Sequence, residues 1–266
     1  MPEPSVAGRS IVTRRAIVDI VRTAVQGSYG VMEPCQLEDL IRPANPHFVR
    51  TRLVCIENTH NRGGGRIQPY PTVEAICRWA RQHGLATHLD GARLFNAVVA
   101  TGIEAPRWTQ HFDTVSVCFS KGLGAPVGSA LCGPRELIAQ AVRHRKVLGG
   151  GMRQAGVLAA AALYALEHHV ARLAEDHANA QRLADGIRRI EELRLDPPEV
   201  DTNLAFFHLS PAWGTAAEFS ARLKQRGVLM LPTGPATLRA ATHLDVSSAD
   251  ADRALVAIQE VARRKS

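Results

Sequence analysis

Two patterns of apolar residues alternate through the middle of the chain. Short runs rich in β-branched side chains are separated by segments whose apolar positions repeat every three or four residues, the spacings of buried strands and amphipathic helices. Residues 51–57 read as a buried strand and Gly63-Gly64-Gly65 as the turn after it. A helix is expected over 72–83, where Val73, Ile76, Cys77, Trp79 and Ala80 fall on one face and Gly84 stands at the C-terminal cap position. Further strands are expected at 85–90, 114–119 and 127–132, with helices at 92–101 and 135–145. This alternation predicts a doubly wound, mainly parallel α/β sheet.

From Gln154 the pattern becomes one long helical stretch to about Ile190, closed by Pro197-Pro198. The remainder (204–209, 217–225, 228–231, 237–241 and 250–263) has the β-α-β-β-α rhythm of a small α+β domain. The expected division is an atypical N-terminal segment over 1–36, a large α/β domain over 37–170, and a small C-terminal domain over 171–266.

Composition narrows the class. The chain has 266 residues, 45% hydrophobic and 21% charged, an ordinary globular mix that excludes a disulfide-stapled miniprotein. Cys35, Cys55, Cys77, Cys118 and Cys132 form no CxxC pair, and four of them lie in runs that read as buried. Free thiols in a reducing cytoplasm are expected. The longest mostly apolar stretch, 155–166, is about 12 residues against the ~20 that span a bilayer, so no membrane partner is expected. Net charge is +7, but the lysines and arginines are scattered over helix faces and ends, including Arg222, Lys224 and Arg226, Arg188 and Arg189, and Arg263-Arg264-Lys265. No aromatic residues interleave with them, so no nucleic-acid partner is expected. Arg9, Arg14, Arg15 and Arg22 could mark a targeting helix, but Glu3 and Asp19 weaken that reading.

In an open α/β sheet, ligands bind beyond the carboxyl ends of the strands. Three such stretches carry chemistry: Glu57-Asn58-Thr59-His60-Asn61, Asp90-Gly91-Ala92-Arg93 and Ser120-Lys121-Gly122-Leu123-Gly124-Ala125-Pro126. A lysine at the end of a buried strand is a candidate Schiff-base amine, because burial favours its uncharged form. A carboxylate at a neighbouring strand end can keep a pyridine nitrogen protonated. Lys121 and Asp90 fit these roles, although Lys121 could be an ordinary surface lysine and Asp90 a helix N-cap. The glycines around Lys121 do not have P-loop spacing, and there is no GxGxxG. Histidines at metal-ligand spacing are also absent, so no metal is expected.

Five runs together resemble one known family. They are Leu53-Val-Cys-Ile-Glu-Asn-Thr-His-Asn61, His88-Leu-Asp-Gly-Ala-Arg-Leu-Phe-Asn96, Phe119-Ser-Lys-Gly-Leu-Gly-Ala-Pro-Val-Gly128, Arg145-Lys-Val-Leu-Gly-Gly-Gly-Met-Arg-Gln-Ala-Gly156 and Leu238-Arg-Ala-Ala-Thr-His243. In this order, from about Leu37 to Ala262, they resemble the low-specificity L-threonine aldolases, which are aspartate-aminotransferase-like, fold-type I pyridoxal phosphate enzymes. The resemblance implies that Lys121 forms the Schiff base with pyridoxal 5'-phosphate and that Asp90 pairs with its ring nitrogen. Arg93 and Arg239 would hold the substrate carboxylate, and His47 would help remove the β-hydroxyl proton. Lys146 and Arg153 would lie near the cofactor and a subunit interface.

The implied reaction is retro-aldol cleavage of L-threonine or L-allo-threonine to glycine and acetaldehyde, in threonine catabolism and glycine biosynthesis. The implied assembly is a homo-oligomer, a tetramer or a dimer. Residues 1–36 show no Ser-Gly-Thr phosphate motif like the one the family carries in its N-terminal portion, so the chain reads as N-terminally truncated. The alternative is a non-catalytic relative acting only in subunit assembly. Sheet edges left uncovered by such a truncation predict poor solubility.

Overall fold

The computed structural model describes residues 22–263, with the backbone of a short antiparallel pair, β1 (Ser10–Ile11) and β2 (Ile17–Val18). Arg9, Arg14, Arg15, Arg264 and Lys265, and with them most of the possible targeting helix and the end of the basic tail, lie outside the described residues.

A four-stranded sheet is built from β3 (Leu53–Glu57), β4 (Ala86–Gly91), β5 (Thr114–Cys118) and β6 (Ser129–Cys132), in that order. The first three are parallel and β6 runs antiparallel at the edge. The connections are α1 (Tyr70–Gln82) after β3, then α2 (Leu94–Thr101) and the short α3 (Ala105–Thr109) after β4. One sheet face carries Ile56, Leu89 and Val115 into a core with Val73, Ile76 and Cys77 of α1, Leu94 and Ala97 of α2, and Trp108 of α3. A 3-10 turn over Pro34–Leu40 adds Leu37. The alternation of side chains along a strand puts Leu53 and Cys55 on the opposite face, where both are exposed.

That exposure corrects the expectation of four buried thiols. All five cysteines are free, but only Cys77 is buried; Cys118 is half-buried, and Cys35, Cys55 and Cys132 are exposed. An apolar run reads as fully buried whether or not both faces of its sheet are covered, and here the outer face of β3 is bare. Burial pushes the Cys77 thiol up to about 12.

α4 (Arg135–Val147) and α5 (Gly156–His168) follow, the former with no buried residue. The single long helix expected from Gln154 is two, α5 and α6 (Leu173–Ile187). Between them the His169 ring donates from Nδ1 to the Leu123 carbonyl at 2.6 Å, and Leu123, Ala125, Ala165 and Leu173 pack around the turn. The break is tertiary, and neither glycine nor proline marks it in residues 169–172.

The second sheet has the order β7-β8-β10-β9 and is wholly antiparallel: β7 (Leu193–Leu195), β8 (Leu204–Leu209), β9 (Leu231–Pro232) and β10 (Thr237–Ala241). With α6, α7 (Ala216–Lys224) and α8 (Ser248–Arg263) it encloses the larger core, centred on Phe207, Phe219, Leu223, Leu238 and Ile258. The strand expected at 228–231 is displaced to Leu231–Pro232, which pair with Arg239 and Leu238 of β10. β7, α3 and the 3-10 turn were not legible from the periodicity, being too short to show one.

Several contacts tie the two halves together, among them two between side chains far apart in sequence. Arg66 pairs with Asp201 at 2.9 Å, and Asn96 donates from Nδ2 to His177 Nε2 at 3.1 Å. The second bond requires an unprotonated imidazole, and burial lowers His177 from 6.5 to about 4. An unfolded chain protonates this ring near pH 6.5 and the folded chain only near 4. Stability is therefore full above that window and falls as pH drops through it. Unfolding free energy is expected to decrease by about 2 kcal/mol from pH 7 to pH 5 on this account, at 1.36 kcal/mol per unit. Urea melts of His177→Gln should show a correspondingly flatter profile; an unchanged slope would remove His177 as the source.

Candidate active site

Strand register sets the site. Glu57, Asp90 and Ser116 are aligned across β3, β4 and β5, two hydrogen-bonded ladders in line. The polar stretches that follow therefore emerge at one end of the parallel strands. Gly64 and Gly65 turn the chain back after β3 with φ of +82° and +75°, a region that only glycine enters without strain.

Asp90 Oδ1 accepts from Ala92 N at 3.1 Å. It does not cap a helix, because α2 starts at Leu94 with Arg93 at the N-cap. Next to it, Arg93 is held below its usual range, first by burial and then by the positive charge of Arg239; Glu57, Cys118 and Asp90 oppose this. Arg239, on β10 of the other sheet, is thus close enough to Arg93 for the two charges to repel. Its Nη1 donates to Asn61 Oδ1 at 3.0 Å, and its buried Nε has no partner. Asn58 Nδ2 and Thr59 Oγ1, just beyond β3, are also buried without partners. Unpaired buried polar atoms cost about 1–3 kcal/mol each, and two guanidinium groups repel, so this cleft is built to receive a polar, negatively charged group.

Lys121 stands in the loop that leaves β5, the strand beside β4. Gly124 N donates to the Lys121 carbonyl at 2.9 Å and Ala125 N to the Phe119 carbonyl at 2.9 Å, making the loop a tight return toward β6. The Lys121 side chain is exposed, which corrects the expectation of a buried amine. With the sheet's outer face bare, nothing covers the amine, and it makes no hydrogen bond or ion pair among the described residues.

The other expected residues are not drawn into the cluster. His47 is exposed on the 41–52 loop, where its backbone N donates to Asn45 Oδ1 at 2.9 Å. Lys146, in the last turn of α4, and Arg153, beyond the triple glycine, are both exposed and make no polar contact with Asp90, Arg93 or Arg239. Sequence reasoning assigned no separate role to Glu57 or Asn61, although both stand in the quoted stretch. Glu57 Oε1 accepts from Asn61 N at 3.1 Å, and the His60 ring lies 3.7 Å from Glu57 Oε2. The available signal was their place immediately after a parallel strand. Among the described residues no cluster of side chains suits a metal ion, and no helix is long and apolar enough to cross a membrane.

The family model for beta-eliminating lyases matches residues 8–210. The Arabidopsis thaliana protein named "Probable low-specificity L-threonine aldolase 2" is 41% identical over 244 residues, covering 90% of this chain and 68% of that protein. The Escherichia coli K12 low specificity L-threonine aldolase is 46% identical over 207 residues, covering 78% of this chain and 59% of that protein. The chain thus spans 59–68% of the length of these relatives. In fold it resembles the Leishmania major threonine aldolase (TM-score 0.73, 21% identity, 89% of this chain and 69% of that one). It also resembles a Thermus thermophilus aspartate aminotransferase mutant (TM-score 0.61, 19% identity, 87% and 64%). The fold is therefore aspartate-aminotransferase-like, a mainly parallel α/β sheet joined to an antiparallel α+β unit, and the chain belongs to the beta-eliminating lyase family, in the group of the low-specificity L-threonine aldolases.

Proposed function

We propose that the chain is a pyridoxal phosphate-dependent lyase that cleaves L-threonine and L-allo-threonine to glycine and acetaldehyde. The observation that carries this is the register that sets Asp90 beside Glu57 at the carboxyl ends of the parallel strands, with Arg239 of the other sheet bonded to Asn61 just beyond β3. Two cations, one of them with a buried N–H that has no partner, suit a carboxylate, the group every amino acid presents.

The residues present fit the cofactor. Asp90, one of whose oxygens already takes a backbone N–H, has a second oxygen for a protonated ring nitrogen. Lys121, exposed at the next strand end, would hold the cofactor through Nζ. When bound, pyridoxal phosphate supplies an aldehyde that takes up the amino group and a ring that accepts the electron pair of the breaking Cα–Cβ bond. The chain's own residues do the rest. Arg93 and Arg239 fix the carboxylate and so orient the scissile bond. Asp90 keeps the ring nitrogen protonated. His47, exposed on the 41–52 loop, would have to approach the site to take the proton from the β-hydroxyl.

Residues 37–170 supply the cofactor side of this site and 171–266 the second arginine. Lys146 and Arg153, exposed about the triple glycine, are assigned to a contact between copies of the chain in a dimer or tetramer. Five free thiols suit a reducing, cytoplasmic setting. The test is direct: purified protein with pyridoxal phosphate and L-threonine should release acetaldehyde and glycine in equal amounts. A protein that binds the cofactor but releases neither, with both threonine isomers supplied, would overturn the assignment.

A further inference from the structure

The Arg239 guanidinium reaches across from β10 to an acceptor 178 residues earlier in the chain, the side-chain oxygen of Asn61. We infer that Asn61 is the positioning residue that aims Arg239 at the substrate carboxylate, and that Glu57 fixes Asn61 for this task; the inference rests on the reading above.

The geometry is a chain of defined donors. Glu57 Oε1 accepts from the Asn61 backbone N at 3.1 Å, which fixes the residue at the start of its turn. Gly63 N donates to His60 Nδ1 at 2.9 Å, leaving Nε2 as the side of that ring facing Glu57 Oε2 at 3.7 Å. Both Glu57 oxygens thus face the 57–63 turn. The Asn61 carbonyl oxygen then takes one N–H of the fork at 3.0 Å. Arg239 Nε has no partner, and Arg93 is a second cation close enough to repel it. A guanidinium held at one nitrogen by a fixed acceptor keeps its remaining donors aimed in one plane, and bidentate carboxylate recognition needs that plane.

The residue type matters as much as its place. A neutral amide orients Arg239 without cancelling its charge. An aspartate here would satisfy the same N–H but would form an ion pair with the arginine and compete with an incoming carboxylate. Asn61 therefore contributes direction and leaves the charge for the ligand.

The test uses the protein loaded with pyridoxal phosphate and two probes, glycine and methylamine. Both present an amine, and only glycine presents a carboxylate. Asn61→Ala is expected to weaken glycine binding by calorimetry roughly tenfold, the scale of one hydrogen bond to a charged group. Asn61→Asp, nearly identical in shape, should weaken it further, and methylamine binding should match wild type in both variants. In turnover, KM for L-threonine should rise with kcat little changed. Unchanged glycine affinity in both variants overturns the inference, as does an equal loss for glycine and methylamine, the sign of a merely structural role. If the wild-type protein neither binds glycine nor cleaves threonine, the functional reading fails and this inference with it. A wild-type protein that does both, with variants whose glycine affinity is unchanged, fails the inference alone.

Discussion

Replacing Lys121 with alanine is expected to reduce threonine cleavage roughly 10³-fold or more, equivalent to ~4 kcal/mol of barrier, and to remove the yellow colour that a lysine-bound pyridoxal chromophore gives. The size follows from the position. Lys121 follows β5 directly, and β5 is hydrogen-bonded to the strand that ends in Asp90. Its side chain is exposed and engaged by no other group in the described chain, so its loss leaves no buried partner stranded. The variant should therefore fold and melt like the wild type, which separates a chemical loss from a structural one. Borohydride reduction of the wild-type complex followed by peptide mapping should find the pyridoxyl group on residue 121. An adduct on Lys146 instead would move the chemistry to α4 and dismantle the proposed site.

The second large effect is expected at Asp90. Asp90→Asn keeps the shape and can still accept from Ala92 N, but it removes the negative charge that would hold a ring nitrogen protonated. A fall of about 10³-fold in kcat is expected, the scale on which removal of one preorganised electrostatic partner acts. Asp90→Glu restores the charge at the wrong reach and should recover part of the loss. The asparagine substitution also strips Arg93 of one of its two carboxylate neighbours, Glu57 and Asp90. Carboxylate binding should therefore tighten rather than weaken, and KM for threonine should not rise. If Asp90→Asn and wild type have equal kcat, the pairing with the ring nitrogen is wrong.

The parallel sheet was legible because strand and helix periods differ and because Gly84 marks a helix end, with φ of +66° in the structure. The strand ends then pointed to Asp90, Arg93 and Lys121 without any knowledge of contacts. Periodicity alone missed features held by distant partners. The turn between α5 and α6 depends on a bond from His169 to Leu123, 46 residues earlier. Exposure of Cys55 depends on which elements cover the sheet, and a run of apolar residues in one strand does not report that. Arg239 was reached only through family resemblance. Alone on a half-buried strand it is indistinguishable from a surface arginine, and its significance appears when the fold sets it against Asn61 and Arg93.

β10 is an inner strand, laddered to β8 on one side and β9 on the other, with Arg239 opposite Phe206 and Leu231. An arginine so mounted cannot swing on a loose loop. Its backbone cannot shift relative to Asp90 and Arg93 unless the antiparallel layer shifts with it. The spacing between the two sheets thereby sets the reach between Arg239 and the residues at the ends of the parallel strands.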